Sequence, residues 1–156
     1  MVNRQLFLKA ATTAQYVGQV VDRQLVPLGV PAYLLGLLTH VRDHAPVSPS
    51  TVARASGVPI TTLRDNIQRL VDRRLVRRVA HPKDGRSYLL VLTRRGETVM
   101  RDADPALLGA YLAVEERLSR PLAEYEEMLV ELTEALAGTL DESAEAELRE
   151  AITARP

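Results

Sequence analysis

The 156-residue chain contains no cysteine and no tryptophan, and only six of its side chains, one Phe and five Tyr, are aromatic. Without cysteine, disulfides, thiolate zinc sites and cysteine redox switches are excluded. No apolar run approaches the roughly 18 residues that a membrane-spanning helix needs, and the N-terminus lacks the basic-then-apolar pattern of a signal peptide. We therefore expect a cytoplasmic protein whose core consists mainly of Leu, Val and Ala.

The formal net charge is zero, but basic and acidic side chains are separated along the chain. Residues 1–45 carry four basic and two acidic side chains, residues 46–95 carry eleven and three, and residues 96–156 carry five and fifteen. The middle segment therefore has a net charge of +8 and the last segment one of −10. A basic segment can bind a polyanion, although a charge run can also do no more than solvate a helix face.

Long helices are predicted on both sides of this basic segment. Apolar residues recur every three or four positions over 4–26, and a second helix over 31–44 is rich enough in Leu to be central. Toward the C-terminus, Thr93 is expected to cap a helix that bends or stops near Pro105, because proline removes an interior hydrogen bond. Pro121 marks the boundary before a last helix.

Two short helices with a turn between them are predicted inside the basic segment. Ser48 is a suitable N-cap for the first helix, and Gly57 is a suitable end. The second helix covers about residues 60–73, and it places Leu63, Ile67 and Leu70 on one face and polar residues on the other. This arrangement is the sequence pattern of a helix-turn-helix.

Two β-like segments, residues 75–80 and 87–92, follow the second short helix. Asp84-Gly85 lies between them, and an Asp-Gly pair between apolar runs is a strong signal for a hairpin turn. The connection is basic, so this hairpin is predicted to be the wing of a winged helix-turn-helix. His81, in the same connection, is expected to face solvent.

Over nearly its whole length, the chain resembles the multiple-antibiotic-resistance regulator (MarR) family. The resemblance implies a mainly α fold with a small β-hairpin wing, with N- and C-terminal helices that form a homodimer. It implies an N-terminal dimerisation helix (1–30), a DNA-binding domain (31–96) and C-terminal dimerisation helices (97–156). The two patterns that carry it are Asp84-x-Arg86-Ser87-x-x-Leu90-x-Leu92-Thr93-x-x-Gly96 and Leu70-x-x-x-x-Leu75-Val76.

The sequence departs from the family at both ends of the second short helix. Arg74 stands where the family usually has Gly, so it must either adopt a positive φ or alter the path out of the helix. Pro59 replaces the usual Ser-like N-cap, so the helix start is expected to shift by one residue. Both departures affect the geometry of DNA contacts and leave the fold unchanged.

The N-terminal half of the second short helix is predicted to read DNA, because an α-helix fits the major groove and its first turns reach base edges. Arg64 can bind guanine, and Gln68 suits adenine. Asp65 can accept from cytosine, or it can orient Arg64 or Arg69. Thr61 and Thr62 can touch a thymine methyl group or a phosphate.

In the wing, Arg86 can enter a narrow minor groove, where the negative potential is deepest. Asp84 either pairs with Arg86 or caps the turn. Lys83 is a predicted phosphate contact, and Ser48 and Thr51 can offer hydroxyl or N–H groups to a phosphate. For Ser48, simple capping is the alternative.

Apolar seams on the first and last helices are predicted to need a partner helix. The seam residues assigned to dimerisation are Leu6, Val17, Leu122, Tyr125, Leu129, Leu132 and Leu136.

The resemblance also implies a small aromatic or apolar anionic effector, which we expect near the second helix, although the same residues can simply pack and cap. Two of them, His40 and His44, have a spacing that can hold a metal, but no third ligand is evident, so no metal or cofactor is predicted. The expected lining is Tyr16, Tyr33, His40, Arg42 and His44.

Together these features predict a sequence-specific DNA-binding transcriptional regulator, acting as a ligand-responsive repressor on a pseudo-palindromic operator. The alternative is a winged-helix module for protein assembly without sequence-specific DNA binding. Such a module tends to lose the basic wing and the polar helix face, and this chain has both. No Gly-rich phosphate loop and no Gly-x-Ser-x-Gly motif occurs, so an enzyme is not predicted.

Overall fold

The structure, a computed structural model, describes the backbone of residues 4–153 and the side chains of residues 5–140. The chain divides after Leu112 into two compact units. The predicted fold, mainly helical with one β-hairpin, is confirmed. Its elements are α1 (Arg4–Leu25), a 3₁₀ turn (Val26–Leu28), α2 (Ala32–His44), α3 (Pro49–Ser56), α4 (Ile60–Asp72), β1 (Val76–His81), β2 (Asp84–Leu92), α5 (Arg94–Glu115) and α6 (Leu122–Thr153).

The core of the first unit is made largely of Leu and Val side chains from α2, α3, α4 and the hairpin. Helix α2 is central, as predicted, and its Leu34 and Leu38 are completely buried. The predicted stripe of α4 is buried too, because Leu63, Ile67 and Leu70 are each no more than 1% exposed. Burial of this stripe orients α4 and turns its polar face outward.

Helix α3 is capped at both ends as the sequence predicts. The Oγ of Ser48 accepts the N–H of Thr51 at 3.2 Å, and Gly57 ends the helix at φ 66°. Val47 exchanges two backbone hydrogen bonds with Leu90 of β2, at 3.1 and 2.8 Å. The first turn of α3 is therefore fixed beside the hairpin.

The chain leaves α4 through Arg74, which adopts φ 57°. Of the two predicted solutions, the structure shows the positive φ, a conformation that costs a non-glycine residue roughly 1–3 kcal/mol. The Oγ1 of Thr93 donates to the carbonyl of Arg74 at 2.5 Å, and the N–H of Leu75 donates to the carbonyl of Leu70 at 2.9 Å. These two bonds hold the exit in place.

The start of α5 lies against the same exit. Besides its bond to Arg74, the Thr93 Oγ1 accepts the N–H of Gly96 at 3.1 Å, which confirms the predicted cap. A Cβ at Gly96 would lie 2.1 Å from the carbonyl oxygen of Leu75, so no side chain fits there. The Thr93-x-x-Gly96 pattern thus packs the first turn of α5 against the residue before β1.

The hairpin turn lies earlier than predicted. β2 begins at Asp84, which pairs with His81, so Pro82 and Lys83 form the turn and Asp84-Gly85 belongs to the strand. Proline presets the φ of a turn position, which favours this location over Asp-Gly. Because Ala80 pairs with Tyr88, residues 85–87 form a bulge in β2.

Helix α5 passes through Pro105 without ending, so of the two predicted alternatives, a bend or a stop, the stop is excluded. Proline in a helix interior costs about 3 kcal/mol. In the two turns before it, Val99, Met100 and Ala103 are buried, and their packing offsets that cost. The boundary predicted at Pro121 is confirmed, since α6 begins at Leu122.

No single helix among the described residues is long and apolar enough to span a membrane. By length and composition alone, Gln5–Leu28 and Ala32–His44 pass that test as a pair bent by 81°.

Candidate nucleic-acid interface

A groove of about 550 Å³ lies between the N-terminal ends of α3 and α4 and the hairpin. It brings together Asp84, the predicted wing brace, and three predicted DNA contacts that are far apart in the sequence: Ser48, Arg64 and Arg86. Both arginine side chains are exposed, and neither has a hydrogen-bond or ion-pair partner among the described residues. We call it the wing groove; its lining is Ser48, Pro49, Ser50, Ile60, Arg64, His81, Asp84, Arg86, Ser87 and Tyr88.

At the α3 edge of the wing groove, the Ser48 hydroxyl is a helix cap with two hydroxyl neighbours. Its Oγ lies 2.9 Å from the Oγ of Ser50 and 2.9 Å from the Oγ1 of Thr51. The capping role is therefore present in the structure. The hydroxyls of Ser50 and Thr51 lie at the exposed surface beside it, which leaves the predicted phosphate contact geometrically open.

Asp84 shapes the wing through a backbone contact. Its Oδ1 accepts the N–H of Arg86 at 3.0 Å. This bond, followed by one from the Ser87 side chain, lowers the pKa of Asp84, with the electrostatic effect of nearby His81 a smaller cause. Of the two predicted roles, the structure shows capping, and the guanidinium of Arg86 remains available.

His81 was expected to face solvent, and that expectation is wrong. It is half-buried, belongs to β1 and lines the wing groove. Its Nδ1 accepts the N–H of Lys83 at 3.2 Å, which closes the turn. The side chain of Lys83, the predicted phosphate contact, is exposed at the tip of the wing.

The first two turns of α4 expose polar side chains that have no partners among the described residues. Thr61, Thr62 and Asp65 are all exposed. Asp65 forms no ion pair with Arg64 or Arg69 in the part of the chain that the structure describes. These positions suit contact with an external ligand, as predicted for the base-reading half of the helix.

Gln68, the predicted adenine contact, is engaged within the protein. Its Nε2 donates to Oδ1 of Asp72 at 2.7 Å, and its Oε1 accepts from Nη2 of Arg78 at 2.8 Å. The guanidinium of Arg78 also lies over the ring of Tyr88, 5.0 Å from its centroid. Both polar atoms of the amide are thus engaged, Nε2 within α4 and Oε1 with Arg78 on β1.

The last turn of α4 is attached to the start of α2 and the residues before it. Arg69 donates through Nη1 to the hydroxyl of Tyr33 at 2.9 Å. Arg73 donates through Nη1 to the carbonyl of Gly29 at 2.7 Å. These arginines therefore hold α4 in position from the side away from the wing groove.

The residues predicted to line an effector site are spread along α1 and α2. Tyr33 and His44 lie eleven positions apart on α2, or about 16 Å at the 1.5 Å rise of a helix. Nδ1 of His44 lies 3.0 Å from the carbonyl of His40, Arg42 pairs with Asp43 at 2.9 Å, and Tyr16 is 64% exposed. No three His, Cys, Asp or Glu side chains of the described residues are arranged to hold a metal.

The predicted dimerisation residues lie on helices with exposed apolar faces. On α1, Leu6 is 48% and Val17 is 56% exposed. On α6, Leu129 and Leu136 are exposed, whereas Leu122, Tyr125 and Leu132 are half-buried and the first two of these line a surface groove with Leu129.

Sequence reasoning missed Ile60 and Tyr88 in the wing groove. Ile60 lies three positions before Leu63, so its spacing makes it look like the start of the buried stripe. In the structure Ile60 is 39% exposed, whereas Leu63 is completely buried. Tyr88 is half-buried on β2, and only the hairpin register reveals its place beside Arg78.

The helix-turn-helix of α3 and α4, followed by the hairpin, defines a winged helix-turn-helix protein. Residues 32–87, from the start of α2 into the first half of β2, match the family model described as MarR family. Over these residues the chain is similar to members of the MarR family.

Solved structures show the same fold. A mutant MarR of E. coli complexed with operator DNA has a TM-score of 0.76 and 21% identity, over 83% of this chain and 94% of that chain. The M. tuberculosis regulator MOSR in complex with DNA has a TM-score of 0.74 and 24% identity, over 85% and 96%. CouR of Rhodococcus jostii RHA1 bound to p-coumaroyl-CoA has a TM-score of 0.71 and 24% identity, over 86% of this chain and 92% of that chain. No curated protein matches the sequence.

Proposed function

We propose that the protein is a sequence-specific DNA-binding repressor of transcription that acts in the cytoplasm as a homodimer on a pseudo-palindromic operator. The observation that carries the proposal is the wing groove, which is lined by the exposed side chains of both Arg64 and Arg86, neither of which has a partner among the described residues. Guanidinium groups bind guanine edges and phosphates in a bidentate manner. The DNA bound to the E. coli and M. tuberculosis relatives supports the same reading.

On a duplex, the N-terminal half of α4 would occupy the major groove. Arg64 would bind guanine there, and Arg86 would enter the neighbouring minor groove from the wing. Lys83, Ser48 and Thr51 would contact phosphates and so fix the register of the protein on the DNA. In a dimer the two half-sites would lie about one helical turn apart, near 10 bp. Thr61, Thr62 and Asp65 complete the proposed reading surface.

The exposed apolar faces of α1 and α6 support the homodimer, because each helix leaves Leu or Val side chains uncovered. We assign the subunit contacts to these helices, with 1–30 and 97–156 as the dimerisation segments and 31–96 as the DNA-binding domain. Light scattering at micromolar concentration should give twice the mass of the chain. Leu129→Asp together with Leu132→Asp should abolish both the dimer and DNA binding, and a monomeric wild type would contradict this assignment.

A small aromatic or apolar anion is proposed as the effector. The hydrogen bond from Arg69 to Tyr33 supports this, because it joins a predicted lining residue to the recognition helix. The relative CouR, which binds p-coumaroyl-CoA, is also consistent with it. A ligand could bind among the predicted lining residues and displace the Tyr33 hydroxyl from Arg69, which would loosen the attachment of α4. The lining residues are Tyr16, Tyr33, His40, Arg42 and His44. A coupling free energy of 1–3 kcal/mol would alter operator affinity roughly 5- to 150-fold.

Effector coupling can be tested by titrating aromatic acids into the protein–operator complex. By reciprocity, operator DNA must weaken ligand binding by the same factor. Tyr33→Phe removes only the hydroxyl, and it should reduce the coupling while leaving the ligand affinity of the free protein nearly unchanged. Ligands that bind the free dimer but leave operator affinity unchanged would contradict the switching role.

DNA binding itself is tested by selecting duplexes from a random pool and measuring how the affinity for the enriched sequence depends on salt. We expect a palindromic consensus and an affinity that falls steeply with salt concentration. Arg86→Ala should weaken binding to every duplex by more than tenfold. Arg101→Ala is the matched control, because Arg101 lies on α5 outside the wing groove and its loss changes the charge equally.

The same experiment discriminates the alternative function. A winged-helix module that only assembles proteins would enrich no DNA sequence. Its affinity for DNA would then change equally in Arg86→Ala and in Arg101→Ala.

A further inference from the structure

We infer that Ile60 reads the 5-methyl group of a thymine that lies within one or two base pairs of the guanine bound by Arg64. The inference rests on the proposed function, because it assigns a base to a side chain of the proposed DNA-reading surface. It assigns a specificity-determining role to a residue that the sequence pattern places in the core.

The exposure of Ile60 is the first observation. Its spacing continues the stripe of Leu63, Ile67 and Leu70, yet those three side chains are at most 1% exposed and Ile60 is 39% exposed. A branched apolar side chain is not favoured in the first turn of a helix by intrinsic propensity. Of these four residues, Ile60 alone keeps an exposed apolar side chain.

The position of Ile60 in the wing groove is the second observation. Ile60 and Arg64 both line this groove, and they stand four positions apart on α4. At 3.6 residues per turn they differ by only about 40° around the helix axis and by about 6 Å along it. Measured from Arg64, Ile60 is rotated by about 40°, Thr61 by about 60° and Thr62 by about 160°, so of these three residues Ile60 is the nearest to Arg64 in direction.

The chemistry of the major groove then selects the base. Adjacent bases on one strand are about 3.4 Å apart, so a side chain about 6 Å from Arg64 meets a base one or two positions away. Thymine alone presents a methyl group in the major groove, and apolar side chains recognise it by contact. Every other base edge there offers mainly polar atoms, which isoleucine cannot satisfy.

The test removes the methyl group from the DNA and the side chain from the protein separately. In the duplex enriched by selection, each thymine of one half-site and its symmetry mate is replaced by deoxyuridine, which lacks only the 5-methyl group. Wild type should lose affinity at one position, by about fourfold per half-site, as expected for one methyl-sized group taken out of contact. Ile60→Ala should bind the thymine and deoxyuridine duplexes equally at that position.

Thr61→Ala is the matched control, because Thr61 is the other candidate reader of a methyl group in the same turn. It should retain the full preference for thymine at the Ile60 position. Each protein is compared with itself on two duplexes, so a change in folding stability affects both measurements equally.

Three outcomes would overturn the inference: no position sensitive to deoxyuridine, sensitivity that Ile60→Ala retains, or sensitivity that Thr61→Ala abolishes. In each case an enriched consensus would still stand, so the proposed function would survive. Failure of the pool to enrich any sequence would instead contradict the proposed function.

Discussion

The two halves of α4 differ in what their polar side chains bind. In the N-terminal half, Thr61, Thr62, Arg64 and Asp65 are exposed and have no partners among the described residues. In the C-terminal half every polar side chain of the exposed face is engaged: Gln68 with Asp72 and Arg78, Arg69 with Tyr33, and Arg73 with Gly29.

The difference indicates that the C-terminal half of α4 is held in place by hydrogen bonds, whereas the N-terminal half is left available for contact with a ligand. Hydrogen bonds in the C-terminal half fix the helix to α2 and the wing, so the N-terminal half is positioned before any ligand arrives. Donors left without internal partners lose no internal hydrogen bond on binding. Preorganisation of this kind favours affinity, because less ordering is required when the complex forms.

The largest expected effect is on folding stability, from truncation of Leu63, the buried side chain that anchors α4 to the core. Leu63→Ala is expected to lower the free energy of unfolding by about 2–5 kcal/mol, because Leu63 is completely buried and its loss leaves a cavity. Urea unfolding measures the change. Thr62→Ala, one position away and exposed, should change stability by less than about 0.5 kcal/mol. Equal effects of the two substitutions would mean that α4 is not anchored by its inner face.

The second prediction separates the proposed recognition of bases by Arg64 from the attachment of α4 to α2 by Arg69. Arg64→Ala should lower the affinity for the selected duplex by about 1–3 kcal/mol and relax the preference at one base pair of each half-site. Arg69→Ala should leave the base preference intact and lower stability by about 0.5–1.5 kcal/mol, through loss of the bond to Tyr33. Binding to variant duplexes and thermal unfolding give the two quantities. If Arg64→Ala weakened specific and random DNA equally, its base-reading role would be wrong.

Gln68 decides where the boundary between the halves lies. If its amide belongs to the anchoring half, Gln68→Ala should lower stability by about 1 kcal/mol and leave base preference unchanged. The sequence suggested instead that Gln68 reads adenine, and then Gln68→Ala would relax the preference at an A·T pair. Arg78→Ala removes only the hydrogen-bond partner of the Gln68 Oε1. If Gln68 anchors α4, this substitution should cause part of the stability loss seen in Gln68→Ala.

The smallest effect concerns the wing that faces the reading half. Hydrogen bonding to the N–H of Arg86 lowers the pKa of Asp84 below its ordinary value of 3.8. The carboxylate therefore stabilises the wing at pH values above about 3.8, and this contribution is lost as the pH falls through the lowered pKa. Protection of the Arg86 amide against hydrogen exchange, relative to its intrinsic rate, should decrease in that acidic range. In Asp84→Asn the protection should not follow this titration.

Much of the fold could be predicted from the sequence because local signals and the core pattern agree. Ser48 and Gly57 bound α3 by capping chemistry, and the spacing of Leu63, Ile67 and Leu70 fixes the inner face of α4. The position of the hairpin turn could not be predicted as well, because two local signals competed and Pro82 prevailed over Asp84-Gly85. The continuation of α5 through Pro105 depends on packing of the preceding turns, which no local rule includes.

The candidate site divides in the same way. From the sequence alone, the basic segment and the pattern around Arg86 predicted a winged helix-turn-helix, which the fold confirms, and the residues that we propose contact a polyanion. Only the tertiary structure decided that Gln68 is engaged by Arg78 and that Ile60 is exposed beside Arg64. Periodicity gives the face of a helix on which a side chain lies, whereas burial and hydrogen bonding depend on which distant residues reach that face. Those residues, on β1, β2 and α2, come together only when the chain folds.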